Sequence, residues 1–514
     1  MNSTTTSTLE QQLLEAATGR PHHRLILRGV TVIDGTGAPA FGPADIVIEG
    51  EKIARIVQYG TSPWQNQTPS RLVPEATDVV LDLDGFHVMP GLVDAHAHIG
   101  GPAQVPSAEY VYKLWLGHGV TTVREVGSLY NGLDFTLEQS RLSAAHEIAA
   151  PSILPYVHFG WGADHWITEP EEAREWTRDI ARRGAQGIKL FGVSPDIMRA
   201  VLDEAQKLKL RTACHHSQQF VAGANALDTA RLGLTSVEHW YGIPESMFDD
   251  RRSQHFPASY NYADEIARFA AAGTLWEQAA APGSTRWRET IDELIALGTA
   301  LVPTFNVYIG TRDAARVRTS EWHKRYTAHE LRNFFSPDSG EHGSFFENWG
   351  TEEEVSWRRN FSLWMQFVRE FYDRGGLLGA GSDSGFIYKV YGFGLIEEME
   401  LLREAGISAL EVIGIATLGG ARIAGVEHVT GSIEDGKRAD LIILKNNPLK
   451  DLKTLYGHGH STEEAERGKS VPGGITATIK AGAVFDAGAL LADVRAIVSQ
   501  QDAEGAQFEV DHRH

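Results

Sequence analysis

The chain predicts an α/β fold: a (β/α)8 TIM barrel carrying a small β-sandwich domain built from both ends of the sequence. Three observations predict it. Through the middle of the chain, apolar runs alternate with amphipathic stretches of helical period, the pattern of βα units around a parallel sheet. Eight such runs can be counted, the number that closes a barrel. At either end, β-branched residues alternate with polar ones between glycine-containing turns. A length of 514 residues accommodates one barrel with insertions and a second, smaller unit.

Residues 1–22 are expected to form an N-terminal appendage. The segment MNSTTTSTLEQQLLEAATGR has neither a basic start nor an apolar run of signal length, and it reads as a mature cytoplasmic end. Residues 23–87 and 428–486 are expected to form the composite β domain, from RLILRGVTVIDG and ADIVIEGEKIARIV at one end and GSIEDGKRADLIILKNNP and ITATIKAGAVFD at the other.

Residues 88–427 are expected to be the barrel. Its strand candidates are VMPGLVDAHAH (88–98), VTTVREVG (120–127), SILPYVHFG (152–160), GIKLFG (187–192), RTACHHS (211–217), TSVEHWYG (235–242), ALVPTFNVY (300–308) and LLGAGSDSG (377–385). Helices follow most of them; 170–184 and 195–209 start on proline and repeat apolar residues three or four apart. An open doubly wound sheet, the rival architecture, would show a glycine-rich phosphate turn after an early strand, and none is found. The intervals 243–299 and 309–355 are too long for ordinary connections and are expected to rise as functional loops from the C-terminal face. Residues 487–514 complete the chain as a C-terminal helix and tail.

Composition narrows the function. A net charge of −20 repels polyanions, which argues against nucleic acid and anionic membrane surfaces as partners. No stretch approaches the roughly 20 apolar residues of a membrane span. The single Cys214 forms no internal disulfide and no thiolate cluster, so metal ligands would be histidine and carboxylate, and a reducing cytoplasmic compartment fits.

The ionisable residues fall in a pattern. His96 and His98 end the first run, Lys189 lies in the fourth, His215 in the fifth, His239 in the sixth and Asp383 in the eighth, all toward C-terminal ends. Residues two apart in a strand face the same way, so His96 and His98 can both aim into a barrel mouth and hold one ion. Each residue alone has an ordinary structural explanation; six of them at matching ends of five barrel strands point to a shared metal centre. His216 competes with His215, because neighbours in a strand face opposite ways. Tyr156, His158, Trp161, Trp240 and Tyr241 are candidates for substrate contact, or for packing of the loops onto the barrel.

The sequence resembles the amidohydrolase superfamily, in particular its imidazolonepropionase-like and dipeptidase-like members. The resemblance rests on VIDGTG, MPGLVDAHAHIG, GIKLFG, ACHHS, SVEHWYG, GAGSDSG and the closing GSIEDGKRADLIIL, in the family's order over nearly the whole chain. It implies a binuclear centre of two divalent ions, zinc being expected: His96, His98 and Asp383 around one, His215 and His239 around the other, with Lys189 bridging them as an N-carboxylated lysine. A plain ammonium would repel two cations, whereas a carbamate offers two anionic oxygens. The implied mechanism is attack by a metal-activated hydroxide on a polarised carbonyl, with Asp383 passing the proton to the leaving nitrogen.

The function expected is therefore cytoplasmic, metal-dependent hydrolysis of a C–N bond in a small amide: dipeptide-like, an N-acyl amino acid or a cyclic amide. A homo-oligomer would be compatible with it. Alternatives are an ester or lactone hydrolase on the same centre, a deaminase, and a non-catalytic assembly protein of the same shape. Deaminases of this family commonly carry a glutamate three residues after the fifth-strand histidine; here that position is Gln218, whose amide cannot exchange the proton.

Overall fold

The structure is a computed structural model of the chain. It describes residues 8–59, 71–101, 104–105, 107–127, 131–337, 342–346, 348–459 and 473–511, with side chains as far as 504.

The barrel strands are Leu92–Ala97 (β6), Val120–Glu125 (β7), Ser152–His158 (β8), Gly187–Leu190 (β9), Arg211–Cys214 (β10), Ser236–Glu238 (β11) and Ala300–Val302 (β12). They pair in parallel and in sequence order from β6 to β12. The lining residues are almost all apolar or fully buried, as both faces of a helix-wrapped parallel sheet require.

The eighth run closes the barrel without becoming a regular strand. Leu378 bridges Leu301 in parallel on one side, and the Ala95 N–H donates to the Ala380 carbonyl on the other. Between them and the rim the Asp94 carboxylate accepts from the Ser382 N–H at 2.9 Å and the His96 N–H at 3.2 Å, and the backbone pairing resumes where the Asp383 N–H donates to the His96 carbonyl at 2.8 Å. Glycine is required here: a Cβ on Gly381 would lie 2.6 Å from His96 Cβ and Val302 Cγ1. The run GAGSDSG thus lets the backbone slide close against β6 and β12, and delivers Asp383 to the rim.

The second unit is one eight-stranded mixed sheet. Arg24–Val32 (β1), Phe41–Glu49 (β2), Lys52–Gln58 (β3), Val79–Asp82 (β4) and His87–Pro90 (β5) come from one end of the chain. Leu441–Leu444 (β13), Ile475–Lys480 (β14) and Ala483–Asp486 (β15) come from the other. The order is β15-β14-β13-β5-β1-β2-β3, with β4 also on β1. β1 shifts register twice against β2, pairing with β4 through its first half and β5 through its second. Its core mixes the two ends: Leu25, Leu27 and Ile46 pack with Leu441, Ile443 and Ile479. β5 leads straight into β6 through Gly91, where a Cβ would strike Thr121 Oγ1 at 2.1 Å, so the β domain is set tightly against the barrel.

Both termini are engaged where they are described. The helix Leu9–Ala16, opened by a Thr8/Gln11 capping box, puts Leu13 and Ala16 into the β-domain core. The helix Ala487–Asp511 packs along the helix Ala108–Gly117, and Asp502 pairs with Arg332 of the 309–355 interval. Residues 1–7 and 512–514 lie outside the described residues. No described helix is long and apolar enough to cross a membrane.

Candidate active site

At the C-terminal rim the strand ends bring a donor cluster together. One donor atom each from His96, His239 and Asp383 lies within 4.8 Å of the others. Asp383 Oδ1 is 3.7 Å from His96 Nε2 and 3.4 Å from His98 Nε2, and its Oδ2 is 3.8 Å from His239 Nε2. The Lys189 amine sits 3.2 Å from His96 Nε2. The His215 ring lies 4.6 Å from that of His239, centre to centre. All six residues line one cavity of about 130 Å³. Between the two adjacent histidines the geometry is unambiguous: His215 lines this cavity, while His216 turns away to Thr229 Oγ1 at 2.9 Å.

Two of these residues sit on left-handed backbone, His239 at φ 63° and Asp383 at φ 46°. Neither is glycine, so each costs on the order of 1 kcal/mol or more, held by the surrounding structure. At β11 this has a geometric consequence. Strict alternation would turn Glu238 and His239 to opposite faces, yet both reach His96: Glu238 Oε2 is 2.5 Å from His96 Nδ1, and the His239 ring is 4.9 Å from that of His96.

A layer of polar partners beneath the cavity orients the histidines. Glu238 also accepts from Arg124 at 2.6 Å and from Ser236 Oγ at 2.5 Å, all fully buried. With the Nδ1 proton of His96 on Glu238, the Nε2 lone pair faces the cavity. Thr304 spends its one proton on the Pro303 carbonyl at 2.6 Å, so at 2.6 Å from His239 Nδ1 it must accept. His239 Nε2 is thereby left bare toward Asp383. Glu125 Oε1 stands 3.5 Å from His98 Nδ1.

Burial sets the charges. It lowers His96 to about 4, the nearby Lys189 amine adding to the effect, and holds His215 and His239 well below the ordinary imidazole value, so these rings are neutral and able to donate lone pairs at neutral pH. Burial also brings Lys189 down to about 8. For Asp383 burial acts upward, but His96, His98 and His239 outweigh it and keep the carboxylate ionised. Glu238 is held at about 2 against its burial by Arg124 and His96. For His98 burial acts downward, while hydrogen bonding to Asp383 and Glu125 carries it up to about 9. The neutral nitrogens of His96, His215 and His239 and the ionised Asp383 carboxylate are a donor set that fits a divalent cation, and His98 would join it by giving up its proton to the bound ion.

The residues expected to meet substrate lie elsewhere. Among the described residues that line the cavity, Tyr156, His158, Trp161, Trp240 and Tyr241 are all absent. Tyr156 is in the barrel interior, its ring 5.4 Å from the Arg124 guanidinium. Trp240 is fully buried against Trp357 and Trp364. Tyr241 stacks on His215, ring centres 5.4 Å apart, and His158 faces Phe191 at 5.0 Å. Trp161 is 37% exposed against Gly132. The outer wall comes from Phe191, Phe269, Tyr308, His342, Phe386 and Ile387, of which Phe269 and His342 lie in the two long intervals. Glu238, Glu125 and Arg124 were visible in the sixth and second runs, but a charged residue inside a strand run carries no signal of its own.

A parallel barrel with a nitrogen-and-oxygen donor cluster at the C-terminal ends of its strands is the class that fold and site define. Residues 365–484 match the amidohydrolase family. An adenine deaminase of Methanoculleus marisnigri is 28% identical over 172 residues, 32% of this chain and 32% of that protein. The chain therefore spans about a third of the length of that curated relative. Among solved structures, a Xaa-Pro dipeptidase with bound methionine superposes with a TM-score of 0.58 at 21% identity, covering 90% of this chain and all of that one. A bottromycin amidohydrolase reaches a TM-score of 0.63 at 19% identity, covering 97% of this chain and 94% of that one. Residues 365–484 are thus similar to the amidohydrolase family, and nearly the whole chain shares the fold of these solved structures.

Proposed function

We propose that the protein is a metal-dependent enzyme hydrolysing the C–N bond of a small amide. The observation that carries this reading is the convergence of His96, His239 and Asp383 donor atoms within 4.8 Å, with the Lys189 amine 3.2 Å from His96. In the proposed assignment His96, His98 and Asp383 hold one divalent ion, and His215 and His239 hold a second. Lys189, N-carboxylated, would add anionic oxygen ligands to them, and zinc is the expected metal. Bound there, such ions would supply Lewis acidity toward a carbonyl and lower the pKa of water.

The chain's own residues do the rest. Lys189 is buried and lowered to about 8, so its free amine, the form that takes up carbon dioxide, is far more accessible than in an exposed lysine. Asp383 is ionised and within 3.8 Å of three imidazoles at the cavity wall. It takes a proton from the attacking water and returns it to the leaving nitrogen. Glu238 and Thr304 fix the tautomers of His96 and His239. The roofed cavity limits bulk water around these charges.

Deamination is the second reading, favoured by the curated adenine deaminase relative. Against it stands Gln218, which cannot shuttle a proton from the position three residues after His215. The buried Cys214, alone of its kind, supports a reducing, cytoplasmic setting. A hydrolysis screen on metal-loaded protein with N-acyl amino acids, dipeptides, lactones, aryl esters and adenine tests the reading. Amine release with carboxylate formation is expected; ammonia release without acyl cleavage would favour the deaminase.

A further inference from the structure

The cavity has two unlike halves. One is the donor cluster. The other is a roof of Phe191, Phe269, Val307, Tyr308, Phe386 and Ile387, in which the polar atoms belong to the His342 imidazole and the Tyr308 hydroxyl. The roof is packed from above. Phe269 stacks on Phe345 with ring centres 3.7 Å apart, and Phe386 meets His98 edge-on at 5.8 Å. His342 is held by Glu265 through Nδ1, its ring 5.5 Å from Phe386.

Charge is compensated within the roof. Arg268 is the cation closest to offering itself to a substrate carboxylate, but it donates to Glu265 at 2.9 Å and to the Tyr262 carbonyl at 3.0 Å, and is not among the cavity-lining residues. Among the described residues the roof half therefore presents no uncompensated full charge. An ammonium or carboxylate placed there would lose its water without a counterion, a cost of several kcal/mol. A purine edge would leave most of its ring nitrogens without partners. Size sets an upper bound: the whole cavity, donor cluster included, is about 130 Å³, below the roughly 150 Å³ of a cavity that takes a benzene ring, so the roof half holds at most one ring.

We infer that the substrate group held under this roof is a single uncharged aryl or branched acyl group of about ring size, with His342 as its hydrogen-bonding contact. This rests on the reading of the cavity as an amide-hydrolase site, and it narrows that reading to neutral acyl amides over zwitterionic dipeptides. The roof residues set specificity, whereas the strand-end cluster sets the reaction.

The test uses the metal-loaded full chain with a matched set: N-acetylphenylalanine anilide, phenylalanylphenylalanine and adenine, together with uncleavable ketomethylene analogues of the first two. The anilide is expected to exceed the dipeptide about tenfold or more in kcat/KM, and its analogue to bind correspondingly tighter by calorimetry. Parity, a preference for the dipeptide, or binding of neither analogue overturns the inference. Cleavage of the dipeptide alone would do so while leaving amide hydrolysis intact. Turnover of adenine with no amide cleaved sinks the amide-hydrolase reading itself. His342→Ala is expected to raise KM for the anilide several-fold, with kcat and metal content unchanged; an unaltered KM removes His342 from the contact.

Discussion

The donor cluster and the roof above it face each other across one cavity, and they are built differently. The cluster is spread over strand ends separated by almost the whole barrel sequence, yet two of its imidazoles are fixed by hydrogen bonds from a fully buried layer: Glu238 on His96, Thr304 on His239. The roof comes from the ends of the fourth and seventh runs, the two long intervals and the segment after the eighth run, and is fixed by aromatic packing such as Phe269 on Phe345. Directional contacts hold geometry to fractions of an ångström, whereas ring packing fixes volume and tolerates exchange. The cluster should therefore fail abruptly when altered and the roof gradually.

The sharpest break of that comparison is Asp383→Asn. It keeps the shape but removes the proton acceptor, and hydrolysis should fall on the order of 10²–10⁴-fold with the fold intact by circular dichroism. A loss below tenfold would show that another group carries the proton. Next comes Glu238→Gln, which should weaken metal affinity roughly 10–100-fold in a chelator titration. It also strands Arg124 in the barrel interior, so thermal stability should drop; Glu238→Gln with Arg124→Met should recover stability but not metal affinity.

The roof should respond more mildly. Phe269→Ala is expected to raise KM about tenfold, with kcat and metal content near wild type. Loss of bound metal in this variant would erase the distinction between the two regions. The smallest effect is expected at Trp161, 37% exposed and outside the cavity lining, where alanine should leave kcat/KM within about twofold.

The same contrast explains what could be seen in the sequence. His96 and His98 were legible because a strand alternates with period two, and Lys189 and Asp383 because barrel sites gather at strand ends. The mixed β domain was legible because turn-and-strand texture recurs at both ends of the chain. Glu238 was not, because one acid inside a strand run carries no signal of its own, and the left-handed backbone that turns His239 to the same side as Glu238 is not announced by a strand pattern. The irregular eighth strand was hidden for a similar reason: the Asp94 side chain, not the ladder, accepts from Ser382. His342 and Phe269 were out of reach because a helical period marks a helix such as Glu265–Ala272 but not where tertiary aromatic contact sets it, here Phe269 against Phe345 and His342.

Lysine chemistry provides a pH test between these extremes. With Lys189 at about 8, the neutral amine is scarce below that value and predominates above it. Reconstitution with bicarbonate and metal should therefore accelerate as pH rises toward about 8 and level off beyond it, followed by recovered activity. For the metal-free protein the sign is the same: between about 8 and 10.5 the unfolded lysine holds a proton the folded one lacks, so stability rises with pH. A reconstitution rate that keeps rising through pH 10 would mean an ordinary, solvated lysine.

The central claim is that six strand-end side chains grip a pair of cations, and elemental analysis of the purified chain tests it most directly. Protein prepared with added bicarbonate and divalent metal should carry about two ions per chain, and Lys189→Ala should carry fewer. Wild-type protein that binds no divalent ion under those conditions, or a Lys189→Ala variant with full metal content and full activity, would contradict it.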